Sequence, residues 1–360
     1  MVWTAGGVAL AALAAAGILL GTGRSRRLRV RPLRLRAVFP AGTLTRYRLE
    51  SKATMRFPRP GGLLARSRRR ELDAATGLVH VVAVQAPAGP HLVALLRRPN
   101  ISVLYGKPAM LWVYRADASG RPVPRVSKAG EGRAGVVRDF LRDQLELGRL
   151  GLPGAERLPD RAVRPGDTWP IGRTVQSDEV RLVLKGSAAF LRMDQAEQGR
   201  RAVVRVDYTE DVESPWSRHQ AERGRREMLF DVERDLLARV TTKGTLLNTA
   251  ARIPFYADFV LRTGLEFHRP LSPAETAAHE ARLAALDAVL GQTARGDVDA
   301  AVTALDRLIE NEAEPAWREG MVEMLRELGK LRRRLRALAS DATPVTDAPA
   351  DARGSAGVAP

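Results

Sequence analysis

The chain has 360 residues, no cysteine and a formal net charge of +17. The absence of cysteine excludes disulfides, thiolate metal ligands, a cysteine nucleophile and a cysteine-linked lipid anchor. A hydrophobic content of 45% is enough for a sizeable core, and the length predicts two domains with tails.

An uncharged apolar segment opens the chain and runs from Val2 to Gly23. Its length matches the roughly 20 residues that a helix needs to cross about 30 Å of hydrocarbon. A cleaved secretory signal normally begins with basic residues, and no Lys or Arg precedes this run. We therefore expect residues 1–23 to form an uncleaved transmembrane anchor. A cleaved signal and a buried soluble helix are the alternatives.

Basic residues follow the apolar run at once. Between Arg24 and Arg70 the chain has sixteen Lys or Arg residues and a single acid, Glu50. Anionic lipid headgroups attract such juxtamembrane clusters, whereas binding of single-stranded nucleic acid would need aromatic side chains among the basic ones. We predict that membrane lipids are partners of the anchor and of the basic segment 24–36 (Arg24–Arg36), and that nucleic acid is not. Biased genomic composition is the plainer explanation of so much arginine.

Residues 37–270 read as a domain of antiparallel strands. Four segments alternate apolar and polar residues, the period of a strand with one buried face: Leu44–Leu49, Val180–Leu184, Ala202–Tyr208 and Arg226–Val232. Three others are more continuously apolar: Leu78–Val84, His91–Leu96 and Ala109–Tyr114. Turn signals separate them, including Ala75–Gly77 and Pro87–Pro90. This pattern predicts a large antiparallel sheet, curved or partly closed.

One helix is predicted inside this domain, over residues 134–150. Its apolar stripe consists of Val137, Phe140, Leu141, Leu145 and Leu147. Packing that stripe on the sheet would bury it, so the fold class is α+β with a half-barrel-like sheet and one packed helix.

The segment that most resembles a known sequence signature follows this helix. It begins at Leu158-Pro159 and ends in Val163-Arg164-Pro165-Gly166-Asp167-Thr168-Trp169. Pro165 and Gly166 suit the central positions of a type II turn, and Trp169 suits a sheet edge or core. The alternative is a binding role for the turn.

This segment resembles the LP…V+PGDTW signature of poorly characterised bacterial envelope proteins, some of them likened to half-barrel carriers of lipoproteins and lipids. The order around it is also similar, with Gly42-Thr43 before the first strand and Phe230-Asp231 before a hairpin with Asp235. The resemblance covers roughly residues 33–250. It implies an exported body, whereas the positive-inside rule applied to the arginines implies a cytoplasmic one. We favour a single-pass protein of the cell membrane with its body outside the cytoplasm.

A second unit is predicted over residues 271–339, as a helical hairpin or small bundle. Ser272-Pro273-Ala274-Glu275 forms a capping box with proline at the first helical position. This helix should end near Gly291, Gly296-Asp297 should open a second helix, and Pro315 should start a third. Residues 340–360 contain almost no large apolar residue, which predicts a disordered tail.

From the sequence we expect no catalytic, cofactor or metal site. The histidines lack metal-ligand spacing, and the serines Ser67 and Ser217 lack a nucleophile elbow; the histidines are His80, His91, His219, His268 and His279. The glycines at 61–62 and 130–132 do not form a phosphate loop. The acidic run Glu210-Asp211-Val212-Glu213 fits a solvated strand end better than a cation site. The aromatic residues suit a core, or else a ligand cavity: Trp112, Tyr114, Trp169, Tyr208, Trp216 and Phe230.

Three functions from different classes remain open. The favoured one is a membrane-tethered, non-enzymatic envelope protein that binds an apolar ligand or a lipoprotein on its curved sheet. The second is a structural or assembly factor that recruits a partner through the C-terminal helices. The third is a hydrolase whose site the sequence does not reveal.

Overall fold

The computed structural model describes residues 31–57, 68–86, 91–99, 109–117, 122–123, 132–151, 158–176, 181–196, 199–214, 217–248 and 255–341. The predicted anchor at residues 1–23 lies outside these ranges, as does nearly all of the predicted tail. Within the described ranges no helix is both long and apolar enough to cross a membrane.

The described residues form eleven strands and four helices. The strands are β1 (Thr43–Phe57), β2 (Arg68–Val84), β3 (His91–Pro99), β4 (Met110–Ala116), β5 (Pro122–Val123), β6 (Thr168–Gln176), β7 (Arg181–Ala196), β8 (Gly199–Ser214), β9 (Ser217–Asp231), β10 (Leu236–Asn248) and β11 (Phe255–Pro270). The helices are α1 (Arg133–Gly151), α2 (Pro273–Ala294), α3 (Val298–Asn311) and α4 (Pro315–Asp341). The predicted α+β class is confirmed.

All strands belong to one antiparallel sheet, in the order β5-β4-β3-β2-β1-β11-β10-β9-β8-β7-β6. Strands β1 to β5 meander towards one edge, and β6 to β11 meander back from the other. The two meanders meet where β1 pairs with β11, with Thr43 opposite Pro270. The edge strands β5 and β6 are not neighbours, so the sheet is open.

Cross-strand register divides the side chains between two faces. Residues directly opposite each other point to the same face, so one row runs from Leu49 through β11, β10, β9 and β8 to Phe190 of β7. Its members are Leu49, Thr263, Val240, Met228, Val204 and Phe190. We call this side the Leu49 face and the opposite side the Arg48 face. The Leu49 face carries two buried apolar clusters, one on β1–β4 and one on β6–β10.

The helices cover the Arg48 face of strands β2, β3 and β4. There Val82, Leu96 and Leu111 share one buried cluster with side chains of all four helices. Helix α4 approaches closely at Gly320, where a Cβ atom would lie 2.8 Å from Cβ of Leu111. The segments Leu78–Val84, His91–Leu96 and Met110–Tyr114 of these strands are therefore largely apolar on both faces, which explains their nearly continuous apolar sequences.

Ion pairs and a cap hold the helical segment together. Arg115 of β4 donates to Asp287 of α2 across 2.7 Å, and Arg282 of α2 makes a double hydrogen bond to Glu312 after α3. The predicted capping box is confirmed, since the Ser272 hydroxyl accepts from the Glu275 backbone N–H and the Glu275 side chain accepts from that of Ser272.

The predicted turn before β6 is confirmed as a type II turn. The Asp167 backbone N–H donates to the Arg164 carbonyl at 3.0 Å, and Gly166 has φ 96°. The Asp167 carboxylate also accepts from the backbone N–H of Arg164, and this hydrogen bond is the main cause of the lowered pKa of Asp167. Trp169, two residues on, is buried in the cluster on β6–β10.

Two sequence-based predictions of element boundaries are wrong. Ala75–Gly77 does not turn, because these residues lie inside the long strand β2 beside a shift of register opposite Ser51 and Ala53. Helix α2 does not end near Gly291 but continues to Ala294. The chain reverses at Gly296, which has φ 87°. The backbone hydrogen bonds that end helix α2 form at this point.

Gly166 provides a direct test of the turn. A Cβ at Gly166 or at Gly264 of β11 would meet no atom within 4 Å, but only Gly166 has a positive φ. We expect Gly166→Ala to lower the free energy of unfolding by about 1–2 kcal/mol through backbone strain, and Gly264→Ala to have a much smaller effect. Urea unfolding of both variants measures this. Equal effects would contradict the assignment of the turn.

Candidate ligand-binding face

The Leu49 face changes character along the central strands. Towards the end where β1 reaches Phe57 and β11 begins, five of its apolar side chains are only partly buried. They belong to none of the three buried clusters, and the Phe57 and Phe255 rings lie 6.1 Å apart. We call this set the apolar patch: Met55, Phe57, Phe255, Phe259 and Leu261.

Two glycines place two aromatic rings beside the patch. Gly224 of β9 and Gly244 of β10 lie opposite each other on the Leu49 face. A Cβ on Gly224 would lie 2.6 Å from the Tyr208 hydroxyl oxygen, and one on Gly244 would lie 2.8 Å from Cζ of Phe259. Each ring therefore lies against the bare backbone of a neighbouring strand, a position that only glycine permits.

A group of ionisable side chains borders the patch on β8 and β9. The Tyr208 hydroxyl donates to Oε1 of Glu222, and the Arg226 guanidinium carbon lies 4.3 Å from the centre of the Tyr208 ring. We call Tyr208, Glu222 and Arg226 the polar cluster. Register places Glu222 opposite Leu246, which is followed on the same face by Ala257 and then Met55.

Burial changes the acidity of the polar cluster. It raises the pKa of Glu222, against the opposing effects of the Tyr208 hydrogen bond and the Arg226 charge. It also raises the pKa of Tyr208. The cluster thus holds a carboxyl group that resists ionisation beside a cation that favours it.

A buried hydroxyl that has no hydrogen-bond partner among the described residues lies elsewhere on the same face. Tyr47 of β1 is 1% exposed within the cluster on β1–β4, and its hydroxyl makes no hydrogen bond in the part of the chain that the structure describes. Burial raises its pKa. Such orphaned groups are rare in folded proteins.

The described histidines are dispersed. His268 lies 2.8 Å from the Thr45 hydroxyl, the His279 ring lies 5.7 Å from the Trp317 ring, and burial lowers the pKa of His91, His268 and His279. No group of three or more metal-ligating side chains occurs among the described residues. The His219 side chain, Ser67, and the glycines at 61–62 and 130–131 lie outside the description.

Neither the predicted acidic run nor the predicted aromatic set forms a single group among the described residues. Glu210 lies on the Leu49 face and Asp211 on the opposite one, so these two carboxylates do not converge. The aromatic residues form no single group, and Trp216 lies outside the described residues. Trp112 and Tyr114 belong to one buried cluster, and Trp169, Tyr208 and Phe230 to another.

Sequence reasoning included Tyr208 among the aromatic residues but missed its partners Glu222 and Arg226. Both lie in a strand segment rich in charged residues, which reads as solvent-facing. The available signal was strand alternation. Glu222 and Arg226 occupy the same alternate positions as Gly224 and the buried Met228. A charged residue in phase with the core positions of a strand faces the core side.

Comparisons with known proteins leave the family open. A scan against family models finds no match, and no curated protein matches. Among solved structures, a Bacteroides fragilis protein described as exported and as having a YmcC-like fold is 10% identical, with a TM-score of 0.24, over 65% of this chain and 99% of that one. Two variants of a Rhodopseudomonas blastica porin are 7% identical, with TM-scores of 0.21, over 61% and 62% of this chain and 99% of each porin chain.

The partly buried Glu222 predicts a pH dependence of stability. Because its pKa is raised in the folded protein, its contribution is fully present below the ordinary pKa of a glutamate and is lost as the pH rises through the raised value. We expect the free energy of unfolding, followed from the ordinary pKa of a glutamate upwards, to fall less steeply with rising pH in Glu222→Gln than in the wild type. Glu227→Gln, an exposed change on the Arg48 face, is the matched control. A wild-type slope in Glu222→Gln would rule out this burial effect.

Proposed function

We propose that this chain is a non-enzymatic envelope protein that binds an apolar or amphiphilic ligand on the Leu49 face of its sheet. The observation that carries the proposal is the apolar patch, partly buried and lying outside the three buried clusters, with the polar cluster at its border. Binding sites for small amphiphiles combine such apolar walls with a few polar groups that set orientation.

The physical basis is burial of hydrocarbon. Each CH₂ group taken from water contributes about 0.8 kcal/mol, so an acyl chain laid over Met55 and Phe259 gains affinity with its length. The ligand's polar end then lies towards β8 and β9, where Arg226 and Glu222 provide a donor and an acceptor.

The location of the protein in the cell is part of the same proposal. Residues 1–23 anchor the protein in the cell membrane, and the body lies outside the cytoplasm. The support is the uncharged run from Val2 to Gly23 and the segment that resembles envelope proteins. The sequence offers no catalytic motif, so binding without chemistry is the simplest activity that these features support.

Recruitment of a partner by the C-terminal helices is the weaker candidate. The apolar side chains of α2, α3 and α4 pack into the cluster that they share with β2–β4. Among the described residues of these helices, Leu338 is the large hydrophobic side chain that is exposed, at 39%. That leaves little apolar helical surface for a partner.

Binding of a dansyl-labelled undecanoic acid to the full chain tests the proposal. Met55→Gln places an amide in the apolar patch and should weaken the affinity about tenfold, the loss expected for one or two buried methylene groups. Thr54→Gln, the next residue on the opposite face, is the matched control and should bind as the wild type does. Equal affinities in the two variants, or no saturable binding to the wild type, would contradict the proposal.

A further inference from the structure

On six neighbouring strands the Arg48 face is a polar surface with an excess of basic side chains. These strands are β7, β8, β9, β10, β11 and β1. Two of its acids pair with neighbouring arginines: Asp207 contacts Arg225 and Arg205, and Asp258 contacts Arg56. A set of exposed basic side chains makes no ion pair within the described part of the chain. We call this set the basic array: Lys52, Lys185, Arg223, Arg239, Lys243 and Arg262.

The array lies on neighbouring strands in register. Lys52 of β1 and Lys243 of β10 both lie opposite Val260 of β11, and Arg223 and Lys185 both lie opposite Thr209 of β8. Because strands are about 4.8 Å apart, the charges are spread over roughly 25 Å. Such a lattice fits a two-dimensional anionic surface better than a compact anion.

The side chains between the cations indicate which surface this is. They include Thr209 and Thr245, and the described side chains that lie between the basic residues provide no aromatic stacking platform for bases. At the end of the same face Tyr256, opposite Arg56, is 47% exposed. An exposed tyrosine bordering a basic surface is typical of the membrane–water interface.

The chain length before the sheet gives the surface access to a bilayer. Nine residues, 24–32, separate the predicted anchor from Leu33, which pairs with Val163. They span at most about 32 Å when fully extended, so an inserted anchor holds the sheet close to the headgroups. We propose that the basic array docks the Arg48 face on the anionic phospholipid headgroups of the membrane. The proposal rests on the proposed membrane anchor and is independent of ligand binding on the Leu49 face.

The absence of cysteine makes a site-specific test direct, because any introduced cysteine is the single labelling site. A fluorophore is attached to Thr209→Cys, inside the array, or to Thr303→Cys on the exposed surface of α3. The full chain is reconstituted into vesicles of phosphatidylcholine, with or without phosphatidylglycerol, that carry a headgroup-linked quencher. We expect quenching of the label at position 209 when the anionic lipid is present, loss of that quenching at high salt, and little change at position 303.

Charge reversal separates the array from net charge. The triple variant Arg223→Glu, Lys243→Glu and Arg262→Glu should lower the quenched fraction at position 209 at least about tenfold. The matched triple variant changes three exposed arginines of the helical segment, with the same change of net charge, and should keep it: Arg295→Glu, Arg307→Glu and Arg333→Glu. Equal quenching with and without phosphatidylglycerol, equal losses in the two triple variants, or a response of position 209 to an oligonucleotide but not to vesicles would each overturn the proposal.

Discussion

The pairing of β1 with β11 is the interaction on which the rest of the structure depends. Within the described sheet it is the strand pairing that joins the two meanders, and its partners Thr43 and Pro270 lie at opposite ends of the β-rich part of the chain. A contact of such sequence separation closes a very long loop, which costs entropy and slows folding. Once formed, it makes the two apolar clusters of the Leu49 face parts of one surface.

Strand alternation then assigns different roles to the two faces. Successive side chains of β1 place Leu49 and Met55 on one face and Arg48 and Lys52 on the other. A slip of register by one residue would exchange them and bury the charges. Shifts of register next to Tyr47 and Ala53 are built into the pairing with β11 and β2. The apolar face that we assign to ligand and the basic face that we assign to membrane thus depend on the same register.

Local features of the fold could be predicted from the sequence because their causes are local. The capping box at Ser272 and Glu275 and the turn at Gly166 depend on residues within a few positions of one another. The strand order could not be predicted, because alternation identifies a strand and its faces but not its partner. The polar cluster was missed for the same reason: Tyr208 and Glu222 are brought together by the β8–β9 register, which no short pattern encodes.

Sidedness tests the central claim that the sheet acts in the envelope, because ligand binding outside the cytoplasm requires an exported body. The decisive measurement is a pair of fusions placed after helix α4, one to alkaline phosphatase, which is active only outside the cytoplasm, and one to a protein that fluoresces only inside it. The account predicts an active phosphatase and a dark fluorescent fusion. An inactive phosphatase with a bright fluorescent fusion would place the body in the cytoplasm and contradict the envelope function.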